Sequence, residues 1–341
     1  MLKNSQLDIL NVFLIIFSLT IAIVFPFSWF LIAYAVIGPL HYLTEINWLN
    51  EKKYFIKTVN LPIVILIVCT ILVVLPTLLP LFLRYFNLEN VMVNLVLMQL
   101  YSYIPVVLLT ALIFAIYSVY VVGRLKLVIG LLVSITLSIL IIQLPFAVTL
   151  FGLFLPSLIH VYCFTALFML YGLIKQSKKT WGIISVLLLI SVPFIILLLP
   201  SGIINFEVSD KVKELYSYTA FGGLIEQIAN WFQVIEGNEV FFLLSEVGVK
   251  IQIFVTFAYT YHYLNWFSKT TKIGWVNTLT TKKVITILIV WVLSVMLYLV
   301  DFRLGFSVSL LLSFLHVVFE FPLNYVSLKS IFTFLFKKLK K

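Results

Sequence analysis

The chain has 341 residues, of which 63% are hydrophobic and only 11% charged, with a mean hydropathy of +1.16. That composition excludes a soluble globular domain, and apolar runs of about 18 or more residues recur along the whole length, the signature of transmembrane helices. The formal net charge of +10 is read as membrane topology rather than nucleic-acid binding, because Lys and Arg collect in cytoplasmic loops.

A span needs roughly 20 residues. The pattern predicts an all-α, polytopic integral membrane helix bundle, a single transmembrane domain over 1–341 with about ten spans. In chain order they are 7–25, 27–49, 60–84, 90–122, 127–145, 148–174, 181–199, 240–267, 284–301 and 304–328. Lys3 and the apolar run after it lack an A-x-A-like cleavage site, so the first span reads as retained. The first two spans form a hairpin through a tight turn at Pro26. The fourth is long and carries Pro105, which predicts a kink or break there. Cys69 and Cys163 both fall in apolar segments and read as small core residues rather than a disulfide.

Placing the N-terminus inside puts most of the 23 Lys and Arg residues in inside segments. Only Arg84, Lys211, Lys213 and Arg303 fall outside, and Lys250 lies within a span. The expectation is therefore both termini in the cytoplasm, in a bacterial or archaeal cytoplasmic membrane. The long segment 200–239 is then extracytoplasmic, with Glu207, Asp210, Glu214, Glu226, Glu236 and Glu239 against two lysines. Its stretch "SDKVKELYSYTAFGGLIEQIANWF" opens like a capped helix at Ser209 or Asp210. Leu, Ile, Trp231 and Phe232 mixed with charges predict an amphipathic helix on the outer face or capping the bundle, as a packed connector or a lid. At the other end, "LKSIFTFLFKKLKK" continues the last helix, and residues 329–341 form a basic cytoplasmic tail that meets anionic lipid.

All four histidines of the chain, His41, His160, His262 and His316, fall within these spans. By the topology, all four of their helices run from outside to inside. They lie about 8, 14, 5 and 12 residues from the inner helix ends, so roughly 8 to 20 Å deep at 1.5 Å per residue. By depth, His41 pairs with His262 and His160 with His316. "HYLTE" places Glu45 four residues after His41, and "HVVFE" places Glu320 four residues after His316. Residues i and i+4 share a helix face, so each pair presents an imidazole and a carboxylate together, as helical bundles do when they build metal sites. Ser157 and Tyr162 flank His160, while Tyr259, Tyr261, Tyr263, Asn265 and Trp266 surround His262. Intramembrane ionisable residues are costly and functional by default, although a single histidine also serves as a helix–helix hydrogen bond.

Imidazole donors suit iron, zinc, copper and nickel. The chain contains no CxxC, HExxH, Walker or GxGxxG motif. Four histidines with carboxylates and open coordination positions suit iron-dependent oxygen chemistry; zinc would suit hydrolysis. Two histidines on facing helices could instead be the axial ligands of a b-type haem. The pair Glu246 and Lys250, with Asp301, Arg303, Gln143 and Gln252, supports a proton-coupled transporter or channel. Glu246 and Lys250 also read as a neutralising pair.

Four transmembrane histidines, one of them set in "GPLHYLTE", resemble the bacterial Brp/Blh-type β-carotene 15,15′-dioxygenases. The resemblance implies a non-haem iron held by membrane histidines, with an acidic residue at i+4. It rests on the histidine arrangement and the H-x-x-x-acid spacing. The chain departs from the family's tendency at Tyr42, where glycine follows the histidine, and at Glu45, where aspartate is usual; it is also longer, with more spans.

The expectation is a membrane metalloenzyme, a non-haem iron oxygenase acting on an isoprenoid, carotenoid or lipid. His41, His160, His262 and His316 are its ligands, and Glu45 and Glu320 its catalytic carboxylates. The cofactor is Fe(II), with zinc, copper or haem b as alternatives. The alternatives in function are a zinc-dependent lipid hydrolase, a proton-coupled transporter or channel, and a b-haem membrane protein. The partners are a lipophilic small molecule from the bilayer and membrane lipids, with no nucleic acid.

Overall fold

Runs of Leu, Ile, Val and Phe offer the backbone no polar partner but itself, so each closes into a helix that satisfies its own N–H and C=O groups. A computed structural model describes residues 4–52, 61–86, 91–176, 180–204, 207–234, 243–270 and 272–339, and within them the regular structure is all helical. In chain order the helices are α1 (Asn4–Val24), α2 (Pro26–Ile32), α3 (Gly38–Lys52), α4 (Leu61–Tyr85), α5 (Val91–Ser118), α6 (Arg124–Ile141) and the short α7 (Ala147–Thr149). They continue with α8 (Thr165–Ile174), α9 (Thr180–Leu197), the one-turn α10 (Ser201–Ile204), α11 (Asp210–Ser217), α12 (Phe221–Trp231), α13 (Glu246–Lys269), α14 (Thr281–Val300) and α15 (Phe302–Leu339). Two stretches are π-helical, Ala33–Ile37 leading into α3 and Leu150–Phe164 leading into α8.

Nine helical stretches among the described residues are long and apolar enough to cross a membrane, which makes the chain a multi-pass integral membrane protein. About ten were expected, and the difference falls on the eighth. Its helix, α13, has 24 residues and so is long enough, but it carries Glu246, Lys250, Gln252, Asn265 and Lys269 among its apolar residues. Pro105 does not break the fourth span, since α5 runs through it from Val91 to Ser118. Of the residues that entered the loop reading, Lys3, Lys53, Lys57, Lys178, Lys179, Glu236, Glu239, Lys340 and Lys341 lie outside the described residues.

The chain divides into two units, Met1–His41 with Val161–Leu279, and Tyr42–His160 with Thr280–Lys341. In the first, α13 packs against α1, α2, α9 and α12. Pro26 stands at the start of α2, where its missing N–H costs nothing. Its carbonyl accepts from Gln252 Nε2 at 2.9 Å and from Thr256 Oγ1 at 2.5 Å. Trp29 Nε1 donates to Thr260 Oγ1 at 3.1 Å. Gln252, Thr256 and Thr260 are four residues apart on one face of α13 and wholly buried, so they fasten the α1–α2 hairpin through hydrogen bonds.

The expected amphipathic segment forms two helices rather than one. Ser209 caps α11 by accepting from Val212 N at 3.4 Å, and α12 follows after a short turn. α12 buries Phe221, Leu224, Ile225, Ile228 and Ala229, and it packs on α13. Phe221 meets Phe30 at a ring separation of 4.5 Å and Tyr259 at 5.4 Å.

In the second unit, α15 packs on α4, α5 and α14. Asp301 ends α14 and caps α15, its Oδ1 accepting from Arg303 N at 2.7 Å and Leu304 N at 3.1 Å. Gly152 lets the π-helical stretch approach α5, since a Cβ there would stand 2.7 Å from Pro105 Cγ. The 38 residues of α15 make about 57 Å of helix at 1.5 Å per residue, against a hydrocarbon core of about 30 Å.

Tyr216 on α11 donates to Gln252 Oε1 at 2.6 Å, so Gln252 joins the connector, the hairpin and α13. Gln252→Leu leaves the Tyr216 hydroxyl buried and unsatisfied, at a cost of about 1–3 kcal/mol. Thermal unfolding in detergent should show a lower midpoint for Gln252→Leu, and adding Tyr216→Phe should recover part of the loss.

Candidate metal centre

The π-helical turn at Ala33–Ile37 ends at Gly38, and α3 then presents His41 and Glu45 one turn apart. The second π-helical stretch carries Pro156 and His160 and gives way to α8 at Thr165. π-helical turns are rare and concentrate at functional sites. Here one carries His160 and the other ends four residues before His41.

Within the first unit, the rings of His41 and His262 stand 4.7 Å apart, edge to face. Tyr263 at 5.0 Å and Trp266 at 5.8 Å wall the His41 ring. Thr165 Oγ1 donates to the Val161 carbonyl at 2.8 Å and lies 2.8 Å from His262 Nδ1. A hydroxyl has one proton to give. With that proton on Val161, Thr165 accepts from His262, which places the imidazole proton on Nδ1 and the lone pair on Nε2.

Within the second unit, His160 Nε2 and His316 Nε2 are 2.9 Å apart. His160 Nδ1 is 3.0 Å from Glu320 Oε2. That contact lies off the line of an aligned hydrogen bond, so Glu320 acts on His160 through its field more than through a directed bond. A carboxylate beside Nδ1 favours the proton there. His160 Nε2 then accepts, His316 donates from its own Nε2, and His316 keeps its Nδ1 lone pair. Tyr42 stacks on the His316 ring at 4.5 Å. Glu45 and Glu320 are both buried and stand close enough for their charges to oppose each other. Asn324 Nδ2 is 3.5 Å from Glu320 Oε2.

The ligand atoms of His41, Glu45, His262 and His316 all lie within 4.8 Å of one another, and all four residues are buried. Three imidazoles and a carboxylate suit zinc, iron, copper or nickel. The donor set can therefore hold a metal ion. The 2.9 Å between His160 Nε2 and His316 Nε2 leaves no room for a haem iron between those two rings.

Of the sequence candidates, His41, Glu45, His262 and His316 form the cluster, while His160 and Glu320 stand against His316 and Glu45. Asn265 turns away and donates to Asn11 Oδ1 at 2.9 Å and to Tyr261 at 2.8 Å. Tyr162 donates to the Leu189 carbonyl and Ser157 to the Leu153 carbonyl. Glu246 and Lys250 pair at 2.8 Å, and Lys250 also donates to the Leu197 carbonyl at 3.1 Å, so both are used in tying α9 to the start of α13. Sequence reasoning missed Thr165 and the stacking of Tyr42. The only signal for Thr165 was its place five residues after His160.

Comparison with protein-family models, with curated proteins and with solved structures found no match.

All four imidazoles are less than about a tenth exposed, His262 the most at 7%. Diethyl pyrocarbonate should therefore leave the folded protein unmodified and carbethoxylate four histidines after denaturation, counted by mass spectrometry. Rapid modification of the folded protein at His41 or His316 would contradict this burial.

Proposed function

We propose that the chain is a membrane-embedded metalloenzyme, a non-haem iron oxygenase acting on a lipophilic substrate of the isoprenoid, carotenoid or lipid class. The observation that supports this is the buried cluster of His41, Glu45, His262 and His316 within a protein of membrane-length helices. Iron(II) held by these four donors would keep positions open for dioxygen activation beside the substrate.

The chain's own residues divide the remaining work. His262 is presented through Nε2 by Thr165, and His316 through Nδ1 by His160. His160, expected as a fourth ligand, is assigned to holding His316. Glu320 keeps His160 in the tautomer that does so and, beside Glu45, is the group assigned to carry protons to and from the site. Tyr263 and Trp266 give the His41 side an apolar wall, which favours a substrate arriving from the bilayer over one arriving from water. Membrane lipids are the surroundings on this reading, and nucleic acid has no part in it. We place the protein in a bacterial or archaeal cytoplasmic membrane with both termini inside.

The same donors suit zinc and the hydrolysis of a lipid. Elemental analysis of the detergent-purified protein separates the two. About one iron per chain, lost when His41 and His316 are both changed to Ala, is the expected result, followed by oxygen uptake with carotenoid or isoprenoid substrates. Zinc in its place would move the assignment to hydrolysis. A folded wild-type protein that binds neither metal would sink the metalloenzyme reading.

A further inference from the structure

We infer that Thr165 is a positioning residue that fixes the tautomer of His262 and thereby decides which nitrogen His262 offers to a metal. The inference rests on the metal reading above for its purpose, but its geometry lies within one unit and is independent of any ion. Thr165 is at the first residue of α8, directly after the π-helical stretch, and it is 4% exposed. Its hydroxyl is 2.8 Å from the Val161 carbonyl and 2.8 Å from His262 Nδ1. The carbonyl can only accept, so the single hydroxyl proton goes to it, and only the hydroxyl lone pair is left for the imidazole.

The consequence is directional. A histidine that ligates a metal presents a lone pair at one nitrogen, and a hydrogen bond at the other nitrogen sets which one. The groups that hold the other N–H of a ligating imidazole are most often carboxylates or carbonyls, which accept it without constraint of their own. A threonine hydroxyl can donate as well as accept, so it fixes the tautomer only when its proton is committed elsewhere. The back-bond to Val161 supplies that commitment. Thr165 thus does for His262 what Glu320 and His160 do for His316, by a neutral route and without adding charge inside the membrane.

The test begins with metal-free, full-length protein in lipid nanodiscs, its histidines labelled with nitrogen-15, with the His262 signals identified by their loss in His262→Gln. The wild-type protein and Thr165→Ser should show His262 protonated at Nδ1 and bare at Nε2. Thr165→Val and Thr165→Ala should move the proton to Nε2, the ordinary preference of a free imidazole. Cobalt(II) then serves as the metal probe. Its affinity should fall about 10–100-fold in Thr165→Val and stay within a few-fold of wild type in Thr165→Ser, with thermal midpoints of the metal-free proteins alike. A wild-type His262 protonated at Nε2, or a tautomer unchanged in both Thr165→Val and Thr165→Ala, overturns the inference. If no form binds cobalt, the metal reading fails while the nitrogen spectra still decide the role of Thr165.

Discussion

A helix that is polar on several faces cannot be left to lipid, and α13 is such a helix. Gln252, Thr256 and Thr260 occupy one face, Tyr261 and Asn265 another, and His262 a third. In the hydrocarbon interior each of these groups must find its partner in protein. The first unit supplies them side by side: the Pro26 carbonyl and Trp29 for the first face, Asn11 for the second, Thr165 for the third. The packing of α1, α2, α9 and α12 against α13 follows from that demand. The same polarity keeps α13 below the apolarity of the nine other membrane-length stretches although its length suffices.

Much of this was legible in the sequence. The pairs that depth suggested for haem ligands, His41 with His262 and His160 with His316, do have their rings close, at 4.7 and 4.8 Å, although no haem follows from that. The i+4 carboxylates were legible because α3 and α15 are regular α-helices where His41–Glu45 and His316–Glu320 sit. The expected helix start at Ser209 also appears, as does a continuation of the last helix past the hydrocarbon core.

What the sequence hid is phase. Over Ala33–Ile37 and Leu150–Phe164 the turns are wide, and an α-helical wheel drawn through them points every later residue in the wrong direction. Thr165 follows directly on the second of these stretches, so its direction could not be read from such a wheel. Tyr42 was hidden differently. It is the neighbour of His41 in sequence yet stacks on His316, a contact between residues 274 positions apart that no local pattern encodes. Asn265 shows the converse error, because proximity to His262 in sequence suggested a shared site, whereas three residues along an α-helix left it bonded to Asn11 and Tyr261.

The two ways of holding an imidazole have different electrostatic consequences. Glu320 beside His160 adds negative charge to the arrangement behind His316, whereas Thr165 behind His262 adds none. A carboxylate in a low-dielectric interior is costly unless a positive charge is near. Glu45 and Glu320 are both buried and stand close enough for their charges to oppose each other. On the proposed reading, a divalent ion bound by His41, Glu45, His262 and His316 relieves that opposition, since two carboxylates and one divalent ion sum to zero. A third acidic partner behind His262 would carry the sum below zero. A neutral hydroxyl at that place, with its own proton committed to Val161, orients the ligand and leaves the balance of charge intact.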